Sequence, residues 1–214
     1  MAKIPLILKL KKQVYKDIAR AQDIVIKEIY SSFEKPVFHG GTAIWRCYTG
    51  NRFSEDIDVY LPKDEKKINA VFENLEKNGF VIKKKKISEN SLYSNLELNR
   101  VAVRLEALFK KPLPKGALKE YETADGNLIT VYTLSPEDFV KEKVETYLKR
   151  LKIRDLYDIF FLLRHVREKK EVSRELEKLS KNFRKPLDEK ELKVLLIEGI
   201  VPSSEEMIDY IRRF

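Results

Sequence analysis

The chain has 214 residues, enough for one large domain or two small ones with a sizeable core. Lys and Arg number 43 against 34 Asp and Glu, and the resulting formal charge of +9 suits a polyanionic partner. No long uncharged apolar run is present, which excludes a membrane-spanning helix; the single cysteine, Cys47, excludes an intrachain disulfide and fits the cytosol.

The N-terminal stretch has a short apolar run but no small-residue cleavage site, and reads as mature sequence rather than a signal peptide. Abundant Lys and Glu, with Gln13 and Gln22 as the only glutamines, lean towards a thermophilic source. Residues 10–33 have helical periodicity, with Val14, Ile18, Ala21, Val25 and Ile29 recurring every three or four positions. Val37-Phe38 is a short strand leading into Gly40-Gly41. Glycines let the backbone turn sharply and come close to a ligand. Thr42 is expected to cap the helix that starts there, whose free N–H groups favour an anion.

A polar turn then leads to Asp56-Ile57-Asp58. In a strand, residues two apart share a face, so the two carboxylates stand side by side while Ile57 and Val59 face apolar packing. Adjacent carboxylates repel unless a positive group sits between them. A hard divalent cation such as Mg2+ answers this and keeps coordination sites open for phosphate. Arg52, just before the pair, is expected to reach a phosphate or brace the carboxylates. His39 has no metal cluster around it and reads as structural; Trp45 reads as core.

Residues 65–78 are an amphipathic helix stopped by Asn78-Gly79. Phe80–Ile82 is a strand, followed by four lysines, Lys83–Lys86, that suit either a phosphate backbone or a solvated strand end. Leu92–Leu98 and Val101–Phe109 form a hairpin, with Arg104 and Glu106 on the polar face of its second strand. Residues 110–120 are expected to be a loop, before a strand pair around Asp125-Gly126. Ser135-Pro136 opens a helix, and a domain boundary falls near 134. Helices are expected over 136–150, 153–168, 171–181, 188–198 and 204–213. The helices of 171–198 leave room for a DNA-binding reading but lack a helix-turn-helix signature.

Gly40-Gly41-Thr42 followed by Arg52-x-Ser54-x-Asp56-x-Asp58 resembles the nucleotidyltransferase superfamily that shares the DNA polymerase beta fold. With Lys143, Arg150 and Arg154-Asp155-Leu156-Tyr157-Asp158, the chain is more closely similar to the AbiEii/AbiGii toxin family. The resemblance implies an α+β fold: a nucleotidyltransferase mixed sheet with flanking helices over 1–134, then a helical domain over 135–214 that contributes to the cleft for nucleotide and acceptor. It implies transfer of an NMP group from an NTP to an acceptor hydroxyl, with Mg2+ on Asp56 and Asp58 and a third carboxylate on a later strand. Glu106 is the candidate for that carboxylate and Glu97 its competitor; three carboxylates hold two ions, or one ion and a base. The nucleotide-binding residues it implies are Gly40, Gly41, Thr42, Arg52, Ser54, Lys143 and Arg154, with Asp155 and Asp158 holding the cations. The expected partners are an NTP, an RNA acceptor such as tRNA, and an antitoxin. The alternatives are a protein or small-molecule acceptor, or a nucleotide-binding regulator without activity.

Overall fold

The computed structural model describes residues 4–214. It divides into two units: the chain as far as Thr49 with Phe53–Thr133, and Gly50–Arg52 with Leu134–Phe214.

The first unit is built on a seven-stranded mixed sheet: β1 (Val37–His39), β2 (Ile57–Leu61), β3 (Val81–Ile87), β4 (Ser91–Leu98), β5 (Val101–Phe109), β6 (Ala117–Glu122) and β7 (Leu128–Thr133). The spatial order is β3-β4-β5-β2-β1-β7-β6. β2 runs parallel to β5 and antiparallel to β1, so the strand of the aspartates is central. Four helices accompany the sheet: α1 (Leu6–Lys9), α2 (Gln13–Ser32), α3 (Gly40–Cys47) and α4 (Glu65–Lys77). Apolar side chains alternate along β2, β4 and β5, and Leu61, Leu92 and Leu105 meet Ile29 of α2, Phe33, and Ile68, Val71 and Phe72 of α4. The opposite face is therefore left to Asp58, Tyr93, Asn95, Arg104 and Glu106. Asn99 and Arg100, both at positive φ, close the β4–β5 hairpin in the way a two-residue turn requires.

Inside this unit Arg46, nearly fully buried, donates to Asp23 and lies between the Trp45 and Tyr121 rings, 4.8 and 4.7 Å from their centroids. Asp23 also accepts from the Tyr121 hydroxyl at 2.8 Å and the Ala124 amide at 2.7 Å. Burial pushes the Asp23 carboxyl up, against the opposing pull of Arg46. Arg46 is thereby a structural residue, and Trp45 is core, edge-on to Phe53.

The second unit is a helical bundle of α5 (Pro136–Arg150), α6 (Ile153–Leu162), α7 (Ser173–Lys181), α8 (Leu192–Leu195) and α9 (Ser204–Arg213). Ser135 caps α5 and Ser203 forms a full capping box on α9. Leu151 ends α5 in the left-handed region, and the Asp188 carboxylate accepts from the Ile153 amide at 2.7 Å at the start of α6. Phe139, Val140, Val144, Leu156, Ile159, Leu179, Met207 and Ile208 fill the core.

Several expected bounds differ. Val14 is exposed, because the buried stripe of α2 begins at Ile18. β3 runs on through the lysines to Ile87, since pairing with β4 continues that far. Part of the expected loop 110–120 is strand, as β6 starts at Ala117. The helix expected over 188–198 breaks at Leu196, where the backbone turns to bridge Arg52 and the Ile197 amide donates to the Asn51 carbonyl.

Candidate active site

The phosphate-type turn is built from Gly40. Its φ is +75°, and a side-chain Cβ there would run into the Asp58 carboxylate. Glycine is needed twice over at this position, for backbone conformation and for space. α3 starts at Gly40 itself, with His39 as its N-cap and no side-chain cap bond. Thr42 is thus not the cap: it is buried one turn into the helix and donates its hydroxyl to the Asp56 carbonyl. That bond ties the start of α3 to the residue before β2. Gly41 is half-buried in the same first turn, whose uncapped N–H groups remain suited to an anion.

Asp58 stands in register with His39 of β1 on one side and Glu106 of β5 on the other. His39 stacks on Tyr60 with ring centroids 3.9 Å apart. Asp56, one residue before β2, is held by Arg104: Nε donates to Oδ1 at 2.9 Å and Nη2 to Oδ2 at 2.5 Å. Arg104 Nε also lies 3.3 Å from Glu106 Oε1. Burial, then the charge of Asp58, raises the Glu106 carboxyl above its usual range, against the opposing pull of Arg104. The competing Glu97 pairs with Lys83 at 3.3 Å and sits opposite Ala102, away from the Asp58 row.

These oxygens are hard donors of the kind that Mg2+ takes. Among the described residues no three acid, histidine or cysteine side chains enclose an ion by themselves.

The helical unit contains the remaining sequence-predicted residues. Lys143 of α5 is buried, with Nζ 3.2 Å from Asp155 Oδ1 and 2.7 Å from Asp158 Oδ2. Arg150 forks onto Asp155 at 2.7 and 2.8 Å, and Arg52 forks onto Asp158 at 2.9 and 2.8 Å. Three cations thus share two carboxylates in an unbroken chain. Burial would raise the Asp158 carboxyl, but Arg52 and then Lys143 outweigh it and hold it below the usual range. The spacing of Arg154 and Asp158 allows a pair within α6, yet Asp158 takes Arg52 and Lys143 instead, and Arg154 is half-buried nearby in sequence. Ser54, in contrast, belongs to the first unit; it is half-buried, and its carbonyl accepts from the Gln22 side chain at 2.9 Å.

Two residues have a larger part than the sequence suggested. Arg104 was visible as a charged residue two places before Glu106 on a polar strand face, which is enough to put it beside the carboxylates. The partner of Arg52 is 106 residues away in the chain, and no local pattern encodes that pairing.

The model of the nucleotidyl transferase AbiEii toxin family, a type IV toxin–antitoxin system, matches residues 28–209. The chain belongs to this family. No curated protein sequence matches it. Among solved structures, JHP933 from Helicobacter pylori is similar over 94% of this chain and 92% of its own, with TM-score 0.66 and 19% identity. MenT4, a nucleotidyltransferase toxin from Mycobacterium tuberculosis, is similar over 94% of this chain and 82% of its own, with TM-score 0.63 and 18% identity. At such identities the likeness is one of fold. Membership of the AbiEii family carries nucleotidyl transfer as the class of activity and an antitoxin as the class of partner. Among the described residues no helix of this AbiEii protein is long and apolar enough to cross a membrane.

Proposed function

We propose that this protein moves an NMP group from an NTP to a hydroxyl of RNA, with tRNA as the acceptor, in a Mg2+-dependent reaction. The observation that supports it most is the register of Asp58 with Glu106 on adjacent parallel strands, with Asp56 two residues earlier and Gly40 packed against Asp58. Asp56 and Asp58 are the groups that would hold the ion, which when bound supplies positive charge against the phosphates. The uncapped start of α3 at Gly40 and Gly41 receives phosphate oxygens on backbone N–H groups. Glu106, its carboxyl raised, takes the proton of the attacking hydroxyl. The acceptor oxygen bonds to the α-phosphorus, the bond to the β-phosphate oxygen breaks, and pyrophosphate leaves with that electron pair. Catalysis of this kind rests on positioning and electrostatics. Lys143 is the phosphate-binding cation of the helical unit, held by Asp155 and Asp158. The surplus of basic residues fits an RNA acceptor.

The test is incubation with each α-labelled NTP, Mg2+ and total cellular RNA, beside the Asp56→Ala and Asp58→Ala proteins. A labelled tRNA-sized band that both substitutions abolish is the expected result and names the nucleotide. Label on protein moves the acceptor to a protein hydroxyl. No label, with NTP still bound, overturns the transferase reading in favour of a regulator.

A further inference from the structure

The four lysines of β3 do not share one fate. Lys85 turns to the covered face, 2.8 Å from Asn69 Oδ1 and 4.2 Å from the Phe72 ring centroid of α4. Lys83 stands at a break in the β3–β4 register and pairs with Glu97. Lys84 and Lys86 point the other way, to the face of the carboxylates. The register makes this a continuous row: Lys86 is opposite Tyr93, Tyr93 opposite Glu106, and Glu106 opposite Asp58. A second row runs from Lys84 through Asn95 to Arg104. At the β3 end the face forms a groove of about 440 Å3 lined by Lys84, Lys86, Ser88, Ser91 and Tyr93. Lys84 Nζ lies 5.2 Å from the centroid of the Tyr93 ring.

We infer that this groove is a track for the single-stranded end of an RNA acceptor, leading along the sheet to the carboxylates. Lysines on an edge strand also serve to block pairing with another chain. That service needs charge alone, and it does not explain an aromatic ring gathered with the lysines on one face; the Ser88 and Ser91 hydroxyls bond to each other and close the β3–β4 turn. A basic groove with an aromatic platform is the combination that holds a single strand: lysines meet the phosphates and a base stacks on the ring. Lys84 and Lys86 are two residues apart, about 7 Å along the strand, so they address successive points on a backbone rather than one phosphate. From Lys86 to Asp58 the row crosses three inter-strand spacings, about 14 Å, a span that a few extended nucleotides cover. A duplex is too wide to lay one strand against Tyr93 with its bases unstacked.

The inference rests on the RNA reading of the acceptor, and its test separates the two. A fluorescent single-stranded RNA oligonucleotide and a blunt duplex of the same sequence are titrated, without NTP, onto the wild-type protein, onto Lys84→Gln/Lys86→Gln and Tyr93→Ser, and onto a control of equal charge change on exposed α4 positions, Lys66→Gln/Lys77→Gln. The expected result is tighter binding of the single strand, weakened about tenfold by either groove variant and less than about twofold by the control. In Lys84→Gln/Lys86→Gln the slope of log affinity against log salt falls by about 1.4, the loss of two phosphate contacts on a single strand. Equal effects of groove and control variants, or tighter binding of the duplex, overturn the track. In the transfer assay, KM for RNA rises in the groove variants while KM for NTP holds. Labelled RNA with an unchanged KM for RNA sinks the track and spares the transferase. Groove-dependent binding with no labelled RNA spares the track and sinks the transferase.

Discussion

Arg104 closes its guanidinium fork on Asp56, so the first aspartate of the pair has a cation of its own before any metal arrives. The contact also explains why Arg104 is held strongly protonated, chiefly by its hydrogen bond to Asp56. Arg104 is expected to compete with a divalent ion for Asp56. In Arg104→Gln the carboxylates lose that cation, so Mg2+ should raise Tm by several degrees more than it does in the wild type. An equal Mg2+ shift in the two proteins, read by calorimetry, would refute the competition.

Gly40→Ala puts a side chain into a positive-φ position and against the Asp58 carboxylate. The expected cost is about 2 kcal/mol or more, and nucleotidyl transfer should be lost because Asp58 has to move. Urea midpoints measure the first effect and labelled transfer the second. Gly126, also at positive φ but in the turn before β7, gives the comparison: its alanine variant should lose stability and keep activity.

Glu106→Gln removes a carboxylate whose ionised form the fold disfavours. Since its pKa is raised on folding, the penalty is absent below the ordinary 4.5 and complete above the raised value, so it is present at neutral pH. The variant should be slightly more stable at pH 7, by no more than about 1 kcal/mol for so exposed a side chain. Its transfer rate should fall by about 10²–10⁴. Higher Tm with lower activity is the paired readout, and a variant that loses both would contradict it.

Asp158→Asn breaks the buried pairs with Arg52 and Lys143. Leaving two buried cations with a neutral partner should cost about 3–5 kcal/mol. The lowered pKa of Asp158 means that its stabilisation is present above the ordinary 3.8 and is lost as pH falls through the lower folded value. Acid unfolding below about pH 4 should therefore be steeper in the wild type than in Asp158→Asn, as followed by circular dichroism.

The sheet face and the carboxylates were legible because strand alternation is a local code. Ile57 and Val59 against Asp56 and Asp58, or Val103 and Leu105 against Arg104 and Glu106, declare their faces without any partner. The bound on α3 was missed because Thr42 looks like a cap, whereas its hydroxyl is taken by a carbonyl from across the turn. The expected helix over 188–198 has apolar periodicity, but its end pairs with Asn51 and Arg52, a segment far away in the chain. Arg46 is buried, which is rare for arginine, and its partner Asp23 lies 23 residues earlier, a pairing that no local pattern encodes.

The aspartate strand lies between a neighbour translated before it, β1, and one translated after it, β5. A ribosome that has released β2 has already delivered both glycines and both aspartates, yet the row is incomplete until Glu106 arrives and β5 docks. A growing chain therefore holds Gly40, Gly41, Asp56 and Asp58 before the strand that carries Glu106 can pair with β2. The register of Asp58 with Glu106 exists only once β5 has paired with β2.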